Sequence, residues 1–512
     1  MGLGLPVEGA VGTPRLDRAF RGASVGVQRS QPAAIVDAIA GVGALTADKR
    51  GRQSSNRTRT SSGKTGTFRH RHVPDRLSDG AGGGPDRARI SPDRLLIGRN
   101  HRMRMRTPAA LLAATAAIAL ASGAASAREL VINANTSDPA PRAAWEAVVE
   151  QFQAANPDIE VSFNVFEHEA YKTAIRNWLG AEPPDVVFWF AGERMNTFVQ
   201  RDLFEDVSDV WDANGLHDAM GAARSAMTVD GAQYGVPYTY YQWGIYYRQD
   251  IFDANGLTAF ETFEDMLAGC ETLSAAGIAP VTIGTKFLWT AAGWFDYLNL
   301  RTNGLDYHMS LMAGDVPYTD AGVEATLANW ERAIDAGCFI DDHTAYSWQE
   351  AIPFIVQGEA AMYLMGNFLT PFFPEEDRDL YAFMPFPEIN PAVGHFEDAP
   401  IDTVHIPVGA QNPEDARLFL SFVAQPDVQT QLNAALLQLP PHAGAEVGDD
   451  PFLQAGFAML NSADGIAQFY DRDTDPEMAR AGMEGFQQFM VAPDRRDRIL
   501  SQLERTRQRI FE

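Results

Sequence analysis

An export signal lies inside this chain, and it sets which residues have to fold. Arg102, Arg104 and Arg106 flank Met103 and Met105, an apolar run extends from Pro108 to Leu120, and Ala125-Ser-Ala127 closes it. A basic start, a short apolar centre and a small-residue cleavage pattern mark a cleaved secretory signal, and the run is too short to span a bilayer. The pattern predicts translation from Met103 or Met105, cleavage after Ala127, and a folded protein of residues 128–512. Residues 1–102 carry 18 Lys+Arg against 8 Asp+Glu, with little apolar periodicity over 50–100. Such a composition cannot bury enough surface to order itself. A signal peptide works at an N-terminus, so this leader reads as sequence upstream of the true start, with a disordered extension as the alternative. Gly22 to Gly26 matches the G-x-S-x-G elbow but lacks the strand–turn–helix setting that motif needs.

Of the 67 Asp and Glu, all but 8 lie beyond residue 127; of the 41 Lys and Arg, 20 lie before residue 128. The mature part is therefore strongly acidic, and Lys172 and Lys286 are its only lysines. Such a surface repels nucleic acid and anionic membrane and suits a solvated protein. Residues 128–512 exceed what one core usually serves, which predicts two lobes. No cysteine lies near the cleavage site, so no lipid anchor is expected and release into a periplasm is. Cys270 sits on the stripe Phe263, Met266, Leu267, Cys270, Leu273, and Cys338 follows the stripe Val323, Leu327, Trp330, Ile334. An exported protein can keep the two oxidised, yet each also reads as a small core hydrophobe; geometry decides between these.

The mature chain begins β-α-β-α-β. Strands are predicted over Leu130–Asn133, Ile159–Val165 and Asp185–Trp189, and helices on the face Trp145, Val148, Val149, Phe152 and around Tyr171–Leu179. A second α/β unit follows Tyr234–Tyr238. Thr262 and Asp265 have capping-box spacing, Val281–Gly284 and Ala360–Met365 read as strands, and the tail is helical. Strands alternating with helices predict mainly parallel sheets flanked by helices.

Aromatic residues gather at the predicted strand ends: Trp189 and Phe190, then Tyr238, Tyr240, Tyr241 and Trp243, then Trp289 and Trp294, then Phe368, Phe372 and Phe373. Strand ends of open α/β sheets are where ligands bind. Aromatic faces beside Glu193, Arg194, Lys286, Asn367 and Asp402 suit a sugar, whose C–H face packs on a ring while charged and amide groups take its hydroxyls. For a single aromatic, core packing is the competing role; Trp189 and Trp289 are favoured for the site. Catalytic and metal motifs fail: His168-Glu-Ala-Tyr-Lys172 has Lys where a zinc site needs its second His. Asp471, Asp473 and Asp475 lack the Gly and Glu of a calcium loop. No metal or cofactor is expected, and no enzyme.

The order of these motifs resembles the extracellular solute-binding proteins of sugar ABC importers, the maltose-binding group among them. The marks are Pro184–Trp189, Tyr234–Pro237 with Gly244–Arg248, Thr262–Asp265 with Gly277–Pro280, Gly358–Met362 with Gly366–Phe368, Leu439-Pro440 and Gln468–Arg472. The resemblance covers essentially all of 128–512. It implies a two-lobe periplasmic-binding-protein fold, a Venus flytrap with three hinge crossings near 236–243, 398–404 and 439–447. One lobe would hold 128–238 and 404–442, the other 239–403 and 443–512.

The resemblance further implies a monomer that closes on a sugar and delivers it to a membrane permease without a chemical step. Trp189 and Phe190 would contact the sugar, Glu193 and Arg194 would form an acidic–Arg pair, and Trp289 would be the second lobe's aromatic. Asn367 would stand at a strand end, Asp402 at the second crossing, and Asp471 with Arg472 would close the pocket. Tyr241 stands at a hinge position that is often polar, which argues against maltose. Relatives with cysteines where Cys270 and Cys338 stand imply a disulfide. Two other classes stay open: a binder of a non-sugar solute such as a polyamine, with a box lined only by acids, and a carbohydrate enzyme with two carboxylates flanking one bond.

Overall fold

The computed structural model of the protein describes residues 128–512. The leader over 1–102, the signal over 103–127 and the Gly22–Gly26 motif lie outside the described residues.

The first strand, β1 (Arg128–Ala134), leads into α1 (Pro139–Ala155), then β2 (Ile159–Val165), α2 (His168–Leu179) and β3 (Val186–Phe190). Pro139 starts α1 at a position where a missing N–H costs nothing, and the predicted stripe Trp145, Val148, Val149, Phe152 is its buried face. In α2 the face Tyr171, Ile175, Leu179 is buried. The Tyr171 hydroxyl accepts from Phe188 N at 2.9 Å and lies 3.1 Å from Asn133 O, tying the helix to β1 and β3. The chain then runs through short helices to β4 (Val236–Tyr240) and directly into β5 (Trp243–Arg248).

The second unit contains α3 (Phe263–Ala275), β6 (Ala279–Val281), α4 (Trp289–Asn303), α5 (Ala321–Asp335), β7 (Ala360–Gly366) and β8 (Tyr381–Met384). The capping box forms as its spacing predicts: Asp265 N donates to Thr262 Oγ1, and Thr262 N donates to Asp265 Oδ2, both at 3.2 Å. Cys270 and Cys338 are joined, with Cα atoms 5.0 Å apart and both residues fully buried. The chain returns through β9 (Phe396–Asp398) and β10 (Ile401–His405), two helices over Pro413–Leu436, α6 (Pro451–Ser462), β11 (Gly465–Ala467) and α7 (Tyr470–Asp473), and ends in helices over Pro476–Val491 and Arg496–Phe511.

Two sheets result, each with its own core. The first has the order β2-β1-β3-β10-β4 and the second β8-β5-β7-β6; β9 and β11 pair in a small two-stranded sheet, and Thr228–Val229 pairs with Ala232–Gln233 in another. Parallel pairing holds for β2-β1-β3 and for β6-β7, whereas β10 is antiparallel to β3 and β4, and β5 is antiparallel to β7 and β8. The sheets are thus more mixed than the expected mainly parallel ones. A strand that enters its sheet from the other lobe has no crossover helix to dictate parallel pairing. The first core holds Trp145, Phe152, Phe188 and Trp211, and the second holds Tyr246, Trp294, Trp330 and Phe486. Each such side chain, once buried, contributes roughly 1.5–3 kcal/mol. The chain passes between the sheets at Tyr241-Gln242, at Ala399-Pro400, and between Leu436 and Phe469. Among the described residues no helix is long and apolar enough to cross a membrane.

Candidate functional site

The two cores leave a cavity of about 140 Å³ between them, and its walls come from both lobes and all three passages. Period-two alternation along β3 sends neighbouring rings to opposite faces. Phe190 lines the cavity, whereas Trp189 packs on Phe198 with centroids 5.2 Å apart and donates its Nε1–H to Arg194 O at 3.1 Å. At the first passage Tyr241 and Trp243 line the cavity, and across from them stand Trp289, Trp348 and Phe368. These rings meet edge to face: Trp243 with Trp289 at 6.0 Å, Trp348 with Phe368 at 5.1 Å, and Tyr241 with Phe368 at 5.2 Å. Edge-to-face packing of this kind fixes ring planes before any ligand arrives.

The polar wall is a chain of paired charges. Arg472 donates to Asp402 Oδ1 at 3.0 Å, to Ile401 O at 3.0 Å and to the Tyr241 hydroxyl at 2.7 Å, and its guanidinium lies 4.3 Å from the Phe190 ring centroid. Arg194 forms an ion pair with Asp471 and donates to Asp471 O at 3.2 Å. Lys172 stands 3.1 Å from Glu169. Gly192 makes this possible: its φ of 74° suits only glycine, and a Cβ there would lie 2.6 Å from Arg472 O. A side chain at that position would push Asp471 and Arg472 away from the wall.

Burial raises the Asp402 carboxyl above its ordinary pKa, with the Arg472 charge opposing it. Burial also raises Asp471, but Arg194, Lys172 and Arg472 outweigh that and hold it below the usual range. His168 is held well below its usual value by burial and then by Lys172, Arg472 and Arg194, so it presents a neutral imidazole. Lys172 is lowered by burial, against the pull of Glu169.

Of the residues singled out in the sequence, Phe190, Tyr241, Trp289, Asp402, Asp471 and Arg472 come together on this cavity. Five others do not line it. Trp189 is turned into the first core by the strand's alternation. Arg194 stands behind Asp471, and Glu193 accepts a hydrogen bond from Asn196 at 2.9 Å. Lys286 is nearly half exposed and pairs with Glu350 at 3.3 Å. Asn367 is fully buried between the Tyr246 hydroxyl, at 2.7 Å, and Leu437 O, and its backbone N–H donates to Gln242 O at 3.0 Å, so it bridges the first and third passages.

Sequence reasoning missed His168 and Lys172 as site residues. They lie one helical turn apart on α2, the spacing that puts two side chains on one face. Asn135, at 3.3 Å from His168 Nδ1, and Gln438 were missed as well, since isolated amides carry no pattern. Among the described residues no group of three or more His, Cys, Asp or Glu is placed to hold a metal ion.

Two α/β lobes around an aromatic cleft, linked by three passages, define the class of hinged solute receptors. Residues 136–430 match the family of bacterial extracellular solute-binding proteins, and the chain belongs to it. An uncharacterized ABC transporter extracellular-binding protein from Pyrococcus horikoshii is 24% identical over 335 residues, covering 63% of this chain and 74% of that protein. The alpha-glucosides-binding periplasmic protein AglE of Rhizobium meliloti is 24% identical over 240 residues, 43% of this chain and 51% of AglE. Among solved structures, the bacterial solute receptor AcbH, described as exclusive for β-D-galactopyranose, aligns with a TM-score of 0.71 and 27% identity over 75% of this chain and 100% of AcbH. A chitin oligosaccharide binding protein shares the fold, with a TM-score of 0.69 and 18% identity over 74% of this chain and 98% of that one.

Proposed function

We propose that the protein captures a neutral sugar outside the cytoplasm by closing its two lobes, and presents it to the permease of an ABC importer with no chemical change. The observation that carries this reading is an aromatic cavity whose cations are each paired with a carboxylate: Arg472 with Asp402, Arg194 with Asp471, Lys172 with Glu169. A polyamine would require several carboxylates free to meet it, whereas of the three lining acids Asp402 and Asp471 are each held by an arginine, and burial raises the third, Asp138, above its ordinary pKa. Hydroxyl groups need only polar atoms at fixed positions, and ring faces need the walls that Trp289, Trp348 and Phe190 supply. A cavity of about 140 Å³ has room for roughly ten waters at about 10–15 Å³ each. That favours one pyranose over a long oligosaccharide, in keeping with the galactopyranose preference described for AcbH.

In this reading residues 128–238 and 404–442 form the first lobe and 239–403 and 443–512 the second, and the protein acts as a monomer. Export would use the signal over 103–127, without lipidation, and place the receptor in a periplasm. Trp289 would stack on the sugar, and Asp402, Arg472, His168 and Asn135 would take its hydroxyls. Isothermal titration of residues 128–512 with D-galactose, D-glucose, D-xylose, maltose and spermidine tests this. The expected result is one-to-one binding of a monosaccharide, weakened about tenfold or more by Trp289→Ala. Binding of spermidine alone, or a monosaccharide bound equally by the folded Trp289→Ala variant, would overturn it.

A further inference from the structure

We infer that Glu169 is the latch of the closed receptor, a positioning residue that acts on the ligand through Trp289 without touching it. Glu169 does not line the cavity. It sits in the first turn of α2, on the first lobe, and accepts the Nε1–H of Trp289, at the start of α4 in the second lobe, at 3.2 Å. Glu169 thus both holds a cavity ring in its plane and reaches from one lobe to the other. Its own carboxylate is fixed by Lys172 at 3.1 Å, so the acceptor is aimed before the lobes meet.

Two independent features point to the same rim. Leu288, immediately before Trp289, has a φ of 72°. A branched side chain in that region is strained, and such strain persists where the surroundings over-determine a functional geometry. Asp138 stands at the N-cap of α1 yet makes no capping hydrogen bond. Its carboxylate instead faces the side chain of Gln349, beside the cavity residue Trp348. A capping acid normally bonds its own helix, so a cap turned across the cleft marks a second bridge between the same two rims. Trp289 directly and Trp348 through its neighbour Gln349 are therefore set against acids of the opposite lobe.

The latch predicts that closure and ring placement fail together. Nitroxide labels on cysteines introduced at the exposed positions Glu160 and Glu324, one in each lobe, report the lobe–lobe distance in the ligand-free protein. Glu169→Ala is expected to deplete the short-distance, closed fraction that the wild-type ensemble samples. Trp289→Phe, which keeps a ring and loses the N–H, should deplete it equally, and the double variant should add nothing further. Glu169→Gln, which keeps an acceptor oxygen, should return towards wild type.

The kinetic arm rests on the sugar reading. With D-galactose as the probe, Glu169→Ala should release it about tenfold faster at an unchanged association rate. Identical label distances in Glu169→Ala and wild type, or additive effects of Glu169→Ala and Trp289→Phe, would overturn the latch. Wild-type protein that binds no sugar would instead overturn the functional reading, while the label distances still decide the latch.

Discussion

At the scale of single residues, the site depends on charges buried beside rings. Arg472 is the central one: it meets Asp402, Tyr241 and the Phe190 face at once, and losing it would leave a buried carboxylate without its partner. Asp473, next along the chain, is a weakness in the same segment. Burial lifts its carboxyl to about 7, against the Gln468 N–H bond and the Arg472 charge. Asp296 and Asp398 are raised too, by burial first and then, for Asp296, by Asp473 and Asp471, and for Asp398, by Asp296 and Asp473. The folded state keeps a proton that the unfolded chain has released, so Asp473 lowers stability as pH climbs from its unfolded value to about 7, and the loss then stays constant. Asp473→Asn is therefore expected to raise stability at pH 8 by roughly 1–2 kcal/mol, with the gain vanishing towards pH 4. Thermal melts of both proteins across that range check it; a gain that is equal at all pH values would contradict the assignment.

At the scale of elements, legibility followed periodicity. The stripes of α1, α2 and α3 and the capping box at Thr262 were readable because a repeating pattern encodes which face is buried. Strand β3 was readable as a strand, but not which of Trp189 and Phe190 faces the cleft, because both faces of a buried strand are apolar and no polar alternation marks the register. Lys286 and Asn367 were placed by proximity to aromatic clusters, and the folded chain turns one to solvent and the other into a joint between passages. His168 and Lys172 were legible as a failed zinc motif: the lysine excluded zinc, and the one-turn spacing the motif shares puts both on the cavity. The bond between Cys270 of α3 and Cys338, just beyond α5, closes a loop of sequence separation 68. Loop-closure entropy gives such a link about 4 kcal/mol. The Cys270→Ser/Cys338→Ser variant is expected to lose stability on that order in denaturant melts and to bind ligand with unchanged affinity, since neither residue lines the cavity. A large loss of affinity in a folded double variant would show that the link also sets the site.

At the scale of the whole molecule, the three passages are the mechanism. Two separate cores, joined by a short turn at Tyr241-Gln242 and by two return segments, can rotate as bodies without breaking either sheet. The cavity walls are split between those bodies, so the aromatic and polar contacts can be complete only when the lobes meet, and a ligand that touches both walls shifts the population towards the closed form. The acidic surface keeps the receptor solvated and away from anionic membrane. Small-angle X-ray scattering of residues 128–512, with and without the monosaccharide selected by calorimetry, tests this most directly. The account predicts a smaller radius of gyration and a curve matching the structure described here once the sugar is bound, and an expanded ensemble without it. Superimposable curves at saturating sugar would contradict capture by lobe closure.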